Sequence, residues 1–330
     1  IDSFLSYFRS STAITNDPLG YQQSANALFV DLGFNQLNKN WKQLIIIPDG
    51  KTSFIPFDAL ITSSEFAIDL SKANYLLKRY NCIYGYSAQI LLQQATNNIF
   101  DASNISVFAP AFRMNEREQR PLLHSLEEAE AIGQTKDAHL FENGKATIRN
   151  FREQFDRTGI MHIATHAYAD TATNNDPRIE FIDSSLALSE LYATHTHTSL
   201  VVLSACETGI GKLNTSEGPM SLARGFYYAG TKNVITSYWN VDDQSTATLF
   251  KYFYKKINGS TSSSALYEAK KSFIENATGT TASPYYWAGF VHFGKPGIKE
   301  QKSQWWWLLV LPLLVVVIYF FKRAKPMENI

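Results

Sequence analysis

Cysteine is scarce in this chain, with only Cys82 and Cys206 among 330 residues. A disulfide scaffold, or a zinc site built from thiolates, needs more cysteines than this. One bridge between the two is the single disulfide pairing that stays open. Both cysteines are therefore candidates for free thiols.

An excess of charge of either sign is also missing, because 30 basic residues balance 30 acidic ones. The sequence has no basic stripe with interleaved aromatic residues, the pattern typical of nucleic-acid binding. A phosphate-binding loop is missing as well, since residues 209–212 (GIGK) lack the leading glycine spacing and the Ser or Thr after lysine. We expect neither a nucleic-acid partner nor a cofactor.

The first residues offer neither a charged stretch nor a long apolar run, so they do not form a signal peptide. We interpret residues 1–20 as a linker or as the end of an upstream region, in a chain that is the C-terminal part of a longer protein. Apolar residues make up 45% of the chain. That share allows one large α/β domain or two small ones.

The most strongly apolar segment lies at residues 305–321, seventeen residues without a charge that read WWWLLVLPLLVVVIYFF. As a helix it would span roughly 26 Å, near the lower limit for crossing the hydrocarbon core of a bilayer. Tryptophans at one end and Lys322, Arg323 and Lys325 after the other are typical of membrane boundaries. A buried core helix is the alternative. We predict one C-terminal transmembrane helix.

A polar linker at residues 295–304 precedes this segment, and a short basic tail at residues 322–330 follows it. Each flank carries three basic residues, but the cluster after the helix is tighter and adjoins it. Positive charge favours the cytoplasmic side of a membrane. We therefore expect a single-pass membrane protein whose globular domain lies outside the cytoplasm.

Between residues 21 and 293, short apolar or β-branched runs alternate with helical patterns. The predicted strands are residues 44–48, 82–86, 105–109, 161–165, 200–204, 233–238 and 289–293. The predicted helices are the first half of 21–41, then 125–135, 146–155, 218–229, 243–257 and 263–276. This alternation predicts parallel strand pairs with helices on both faces of a sheet. The turn Asp49-Gly50, followed by residues 53–57, predicts a hairpin after the first strand.

Two of the predicted strands end in residues that can form a thiol–imidazole pair. His166 follows the run 161–165, and Cys206 follows the run 200–204. Because the carboxyl ends of parallel strands meet at one edge of a sheet, adjacent strands would bring these residues side by side. A free cysteine thiol has a pKa of about 8.5, so a nearby base, cation or amide dipole is needed to activate it at neutral pH. Histidine titrates in the right range to be that base. The alternative is that Cys206 is a small buried apolar side chain.

The motifs HIATHA at residues 162–167 and SACETGIG at residues 204–211 resemble those of the CHAT domain, in the caspase/separase clan of cysteine peptidases. Further segments follow in the order of that family: IIPDG, FIPFDAL, YLL, EG, AGTKNVI, WNVDD and WAGF. The resemblance places a peptidase domain at residues 21–294. It implies a caspase-like α/β sandwich with a mostly parallel central sheet flanked by helices. It also implies Cys206 as the nucleophile and His166 as the general acid–base.

Two positions depart from the caspase pattern. Ala167 stands where caspases carry glycine after the catalytic histidine, and Gly209 lies three residues after Cys206 where caspases place glycine two residues after it. We assign Ala167 and Glu207 to the oxyanion and loop positions, because Ala167 retains the backbone N–H that an oxyanion hole uses.

The run WNVDD at residues 239–243 contains two candidate substrate-binding residues, Asp242 and Asp243. In the related separases, an acidic residue of a similar run recognises a basic P1 side chain. Asp243 is the matching position here, and its carboxylate would select Arg or Lys. Because the run lies at a strand-to-helix junction, the alternative is that one of the two, Asp242 or Asp243, is only the helix N-cap.

Other ionisable residues are interpreted as structural. His162 lies four residues before His166, but the intervening residues are strand-like and lack the glutamate of an HExxH motif, so we expect a core histidine and no metal site. Glu127, Glu128 and Glu130 are interpreted as a solvated helix face.

Three functions compete for this sequence. The first is a cysteine endopeptidase that is controlled by an upstream region, often tetratricopeptide repeats in CHAT proteins, or by a partner. Its control would not need cleavage of residues 209–217, because so short a loop is a poor protease target. The second is a catalytically silent caspase-like scaffold displayed on a membrane. The third, a zinc hydrolase, lacks a third ligand at a suitable spacing. Intact His166 and Cys206 favour a peptidase that acts on a protein or peptide substrate.

Overall fold

The apolar and β-branched runs of the sequence form the strands of a central sheet in the computed structural model. The structure describes residues 1–93, 102, 104–113, 116–119, 121–122, 124–135, 137–168, 177–204, 220–239 and 241–295. All of these lie within one unit, Ile1–Ile298.

The described strands are β1 (Gln43–Ile46), β2 (Asn81–Tyr84), β3 (Ile105–Ala109), β4 (Ala138–Glu142), β5 (Ile160–Ile163), β6 (Ala167–Tyr168), β7 (Arg178–Glu180), β8 (Ser185–Ala187), β9 (Leu200–Leu203), β10 (Asn233–Ser237) and β11 (Phe290–Gly294). Eight of them form the central sheet in the order β1-β2-β11-β10-β9-β5-β3-β4. Neighbouring strands are parallel except β10 and β11, which are antiparallel. The predicted mostly parallel α/β sheet is confirmed.

The described helices are α1 (Asp2–Ser6), α2 (Ala13–Asn16), α3 (Pro18–Asp31), α4 (Ala88–Gln93), α5 (Ser125–Thr135), α6 (Ile148–Gln154), α7 (Leu188–Tyr192), α8 (Met220–Tyr228), α9 (Asp243–Lys256) and α10 (Ser262–Asn276). Helices cover both faces of the central sheet, as alternating strand residues show. His162 of β5 contacts Phe250 and Tyr254 of α9. Phe108, aligned with the next residue of β5, contacts Phe151 of α6. Because the strands are buried on both faces of the sheet, their sequences are nearly continuous apolar runs.

The predicted hairpin after the first strand is wrong. Residues Gly50–Phe54 form a 3-10 helix, which begins with a capping box between Asp49 and Thr52. Strand β1 pairs instead with β2, in parallel register. The Asp-Gly turn signal is real, since Gly50 has a positive φ of 53°, but it opens a helical turn.

Residues 1–20 pack against the core. Phe4, Leu5, Phe8 and Ile14 are all buried. The ring of Phe8 lies 4.7 Å from that of Trp239, measured between centroids. These contacts fit the end of a folded region better than they fit a linker.

The structure offers no helix, within its described residues, that is long and apolar enough to cross a membrane. The segment 305–321, for which we predict a transmembrane helix, lies outside those residues, as do most of the linker 295–304 and all of the tail 322–330.

Candidate active site

Strands β5 and β9, which precede the two predicted catalytic residues, lie side by side. They are parallel, with Ile163 aligned to Leu203. Beyond the aligned pair, the Ser204 N–H donates to the Ile163 carbonyl at 3.1 Å. His166 follows Ile163 by three residues, and Cys206 follows Leu203 by three. Both residues thus follow the aligned pair by the same number of positions in the sequence. Cys206 and Glu207 themselves lie outside the described residues.

His166 is held in a buried position directly after β5. Its exposed fraction is 2%. Its ring lies 5.6 Å from Phe112 and 6.3 Å from Tyr168, measured between centroids, and is nearly parallel to that of Tyr168. Its carbonyl accepts a hydrogen bond from the Glu180 N–H at 2.9 Å. Aromatic walls and a fixed backbone together restrict the orientation of the imidazole.

Strands β6, β7 and β8 form a small antiparallel sheet beside His166. The buried carboxylate of Glu180 anchors it. Arg178 donates from Nε at 2.7 Å, Arg117 pairs with the carboxylate at 3.0 Å, and Ser185 donates its hydroxyl at 2.7 Å. Because a buried carboxylate requires such partners, this cluster fixes the strand that binds the His166 backbone.

Ala167, assigned to the oxyanion position, is the first residue of β6 and lies opposite Ile179. Its side chain is buried. An alanine fits where the sequence pattern of caspases has glycine, because β6 is an ordinary strand here and Ala167 has no positive φ.

Asp242 and Asp243 occupy different positions at the start of α9. Asp242 is the N-cap residue, and its carboxylate accepts from the Ser245 N–H at 2.9 Å and from the Ser245 hydroxyl at 3.0 Å. Asp243 is partly buried. Burial raises the pKa of Asp243, Asp242 and Glu128 raise it further, and His124 and His166 oppose the rise. His166 is therefore among the groups whose charge influences Asp243, with an effect smaller than that of burial or of His124.

The interpretation of Glu128 as a solvated residue is wrong. Glu127 and Glu130 are exposed, whereas Glu128 is only 4% exposed and faces the sheet. Its carboxylate lies 2.9 Å from Nε2 of His162 and accepts the Ser204 hydroxyl at 3.1 Å. The three glutamates fall within one turn of α5, so only the direction of the core, which the sequence does not state, separates them.

A small crevice of about 10 Å³ lies between α5, α9 and the end of β9. Its walls include His124, Glu128, Ser204, Asp243 and Thr246. The pKa of His124 is raised, chiefly by its hydrogen bond to Glu127. A crevice of this size holds about one water molecule. A large substrate side chain would not fit into it and would contact Asp243 from the solvent side.

No group of three or more potential metal ligands occurs within the part of the chain that the structure describes. His162 is fully buried between Glu128 and Tyr254. It therefore lies in the core, as the strand-like pattern around it predicts.

Several residues around His166 were not singled out from the sequence. Glu180 and its arginines come from distant segments, and Phe112 comes from the loop after β3. The alternation in RIEF at residues 178–181 is a signal that could have indicated β7. Nothing in the sequence, however, assigns Arg117 to Glu180.

Comparison with known proteins supports the resemblance. The family model described as CHAT domain matches residues 22–295. Tetratricopeptide repeat protein 28 is 24% identical over 304 residues in Homo sapiens and 30% identical over 110 residues in Mus musculus. These matches cover 77% and 33% of this chain, but only 12% and 4% of the respective relatives.

Among solved structures, the complex of the pro- and mature domains of Porphyromonas gingivalis RgpB matches with a TM-score of 0.50 and 12% identity, over 82% of this chain and 68% of that one. The Saccharomyces cerevisiae separase–securin complex matches with a TM-score of 0.50 and 12% identity, over 76% of this chain and 16% of that one. These neighbours, a gingipain and a separase, are caspase-like peptidases. At such identity the likeness shows the fold.

Proposed function

This chain belongs to the CHAT domain family, and from that premise we propose that it is a cysteine endopeptidase with Cys206 as nucleophile and His166 as general acid–base. The observation that carries the proposal is the parallel pairing of β5 with β9, in which Ile163 is aligned with Leu203. Both proposed catalytic residues follow that aligned pair by three positions. Equal offsets from adjacent parallel strands are what a thiol–imidazole pair needs.

The proposed reaction is acyl transfer. His166 takes the thiol proton of Cys206, and the thiolate attacks the carbonyl carbon of the scissile peptide bond. His166 then returns the proton to the departing amine as the carbon–nitrogen bond breaks, which leaves a thioester. Water, deprotonated by His166, hydrolyses the thioester and regenerates the thiol. The Ala167 N–H, and the loop that contains Glu207, are the proposed stabilisers of the oxyanion.

The proposed substrate is a protein or peptide with Arg or Lys at P1. Asp243 supports this preference, because it is partly exposed and within electrostatic range of His166. A guanidinium or ammonium group beside it would form a charge-assisted hydrogen bond. Asp242 is engaged as the helix cap, so its contribution to P1 binding is the smaller of the two.

We also propose that control comes from an upstream region or a partner. The relatives named above are tetratricopeptide repeat proteins, and repeats of this kind form extended binding surfaces. Anchoring of the domain to a membrane through residues 305–321, with the globular part outside the cytoplasm, remains part of the proposal. Neither feature is needed for the chemistry at Cys206.

The test is cleavage of a peptide pool by the whole chain, read by mass spectrometry, with Cys206→Ala and His166→Ala as controls. We expect cleavage by the wild type that both substitutions abolish. Cleavage that survives Cys206→Ala would refute the mechanism. Absence of cleavage by the wild type, both alone and with its upstream region restored, would instead favour the silent scaffold.

A further inference from the structure

A buried chain of polar side chains joins the two strands that lead to Cys206 and His166. Ser204 donates its hydroxyl to Glu128 at 3.1 Å, and the same carboxylate lies 2.9 Å from Nε2 of His162. Nδ1 of His162 lies 3.1 Å from the hydroxyl of Tyr254. None of these four residues is more than 4% exposed. The network is therefore almost completely buried between the sheet and helices α5 and α9, and only Glu128 and Ser204 reach the small crevice beside Asp243.

Two members of the network lie close in sequence to the proposed catalytic residues. Ser204 follows β9 directly and precedes Cys206 by two residues, and His162 belongs to β5 and precedes His166 by four. Glu128 is the member that contacts both. A single carboxylate on α5 thus connects the ends of two adjacent strands that the sheet joins only through backbone bonds.

The direction of the hydrogen bonds follows from the partners. Burial raises the pKa of Tyr254 well above its usual range, so its hydroxyl stays protonated and can donate to Nδ1 of His162. Because a carboxylate only accepts hydrogen bonds, Nε2 of His162 carries an N–H and donates to Glu128. Ser204 and His162 therefore both donate to the Glu128 carboxylate. The arrangement of the network depends on that carboxylate.

Stability alone does not account for so many buried polar groups. Burial of a carboxylate, an imidazole and two hydroxyls carries a desolvation cost, and apolar residues of similar size often stabilise a core equally well. What a fully bonded polar network adds is one defined geometry. In this molecule the network defines the geometry between the end of β5 and the end of β9.

We propose that Glu128 is a positioning residue of the active site, which holds Ser204 and His162 and thereby sets the distance between the Cys206 thiol and the His166 imidazole. The inference rests on the proposed peptidase function. Glu128 takes no part in bond making, since its two oxygens are engaged by Ser204 and His162.

The test measures the reactivity of the Cys206 thiol rather than turnover, because Glu128 also lines the crevice beside Asp243 and could alter substrate binding. Alkylation of the whole chain by iodoacetamide, a small neutral reagent, is followed against pH by mass spectrometry. Cys206→Ala gives the background from buried Cys82. His166→Ala shows how far the imidazole activates the thiol.

Glu128→Gln should slow alkylation of Cys206 at pH 6 by roughly 10- to 100-fold, the size expected when a reacting pair is misplaced by about 1 Å. The apparent thiol pKa should move toward the value of an ordinary cysteine, about 8.5. The matched control is Glu130→Gln, because Glu130 is exposed on the same helix. It should leave the profile unchanged.

Ser204→Ala keeps the test valid if Glu128→Gln does not fold, because it removes one hydroxyl and leaves the carboxylate in place. It should shift the profile in the same direction. The double variant with Glu128→Gln and Ser204→Ala should be alkylated no more slowly than Glu128→Gln alone, since both changes break the same connection.

Two results would overturn the inference, and they differ. If His166→Ala slows wild-type alkylation but Glu128→Gln and Ser204→Ala match Glu130→Gln, the positioning role fails and the peptidase proposal survives. If the wild-type thiol has an ordinary pKa that His166→Ala does not change, the thiol–imidazole pair fails and the inference fails with it.

Discussion

Asp242 and Asp243 are adjacent carboxylates with different surroundings, and this difference yields a paired prediction. Asp243→Asn should reduce turnover of substrates with Arg or Lys at P1 by about 30-fold or more, because loss of a charged partner costs roughly 2–5 kcal/mol and about 1.4 kcal/mol corresponds to tenfold. Turnover of substrates with apolar P1 residues should change little. Comparison of kcat/KM for matched peptides measures the effect.

The control for this prediction is Asp242→Ala. Asp242 caps α9 through Ser245, and loss of an N-cap typically costs about 1 kcal/mol of the free energy of unfolding. Asp242→Ala should therefore lower the melting temperature and change the P1 preference much less than Asp243→Asn does. If the P1 preference shifts in Asp242→Ala and not in Asp243→Asn, then Asp242 and not Asp243 is the residue that binds the P1 side chain.

His292, in the middle of β11, makes the stability of the domain sensitive to acid. Burial lowers its pKa to about 3, and the charge of Lys270 contributes in the same direction. In the unfolded chain the imidazole binds its proton near pH 6.5, so between about pH 6.5 and pH 3 the unfolded state binds more protons than the folded one. Stability should fall through this window by about 1.4 kcal/mol per pH unit.

The measurement is the denaturation midpoint of wild type and His292→Gln at several pH values. The variant should show a shallower loss of stability below pH 6.5, even if it is less stable at neutral pH. The exposed His139 of β4 provides the control, and His139→Gln should retain the wild-type slope. Equal slopes for all three proteins would contradict the account.

At the scale of elements, the sequence predicts the bounds of helices and strands best where one apolar run or one helical period covers the whole element. Helix α5 and strand β3 have the predicted bounds exactly, and β9 differs by one residue. The β6–β8 sheet was missed because its strands have only two or three residues, so that the alternation in RIEF is a short and weak signal. β4, with its half-buried pattern, was missed for lack of an apolar run.

The candidate site was predictable to the same extent. The local patterns predicted the strands that precede His166 and Cys206, and the parallel pairing of β5 with β9 agrees with the alternation of strands and helices. The burial of Glu128 and the pairing of Glu180 with Arg117 were not predictable, because the partners of Glu128 lie 34 and 76 residues away and Arg117 lies 63 residues from Glu180. Long-range polar contacts leave no periodic signal in a single sequence.

Phe8, two residues after the end of α1, packs the N-terminal residues against the segment before α9, and this gives a prediction at the scale of elements. Phe8 is 1% exposed and packs against Trp239, which precedes Asp242 by three residues. Phe8→Ala should lower the free energy of unfolding by about 3–5 kcal/mol, because a large buried ring leaves a cavity. Urea denaturation measures this loss. Leu19→Ala, at a residue that is 52% exposed, should cost far less; equal costs would mean that the N-terminal residues do not contribute to the core.

At the scale of the whole molecule, residues 305–321 are predicted to be separable from the peptidase domain. The described residues already form a closed core up to Lys295, which is itself buried. Removal of residues 303–330 should therefore yield a folded, monodisperse domain with an unchanged melting temperature, while the whole chain partitions into detergent. Aggregation of the truncated protein would mean that the segment packs into the core.

The central claim is that Cys206 is a nucleophile activated by His166. It is tested most directly with a peptidyl acyloxymethyl ketone bearing Arg at P1, followed by mass spectrometry of the whole chain. The account predicts one covalent adduct, located at Cys206, that disappears in Cys206→Ala and forms at least tenfold more slowly in His166→Ala. An adduct at another residue, or labelling of Cys206 at the same rate in His166→Ala, would contradict it.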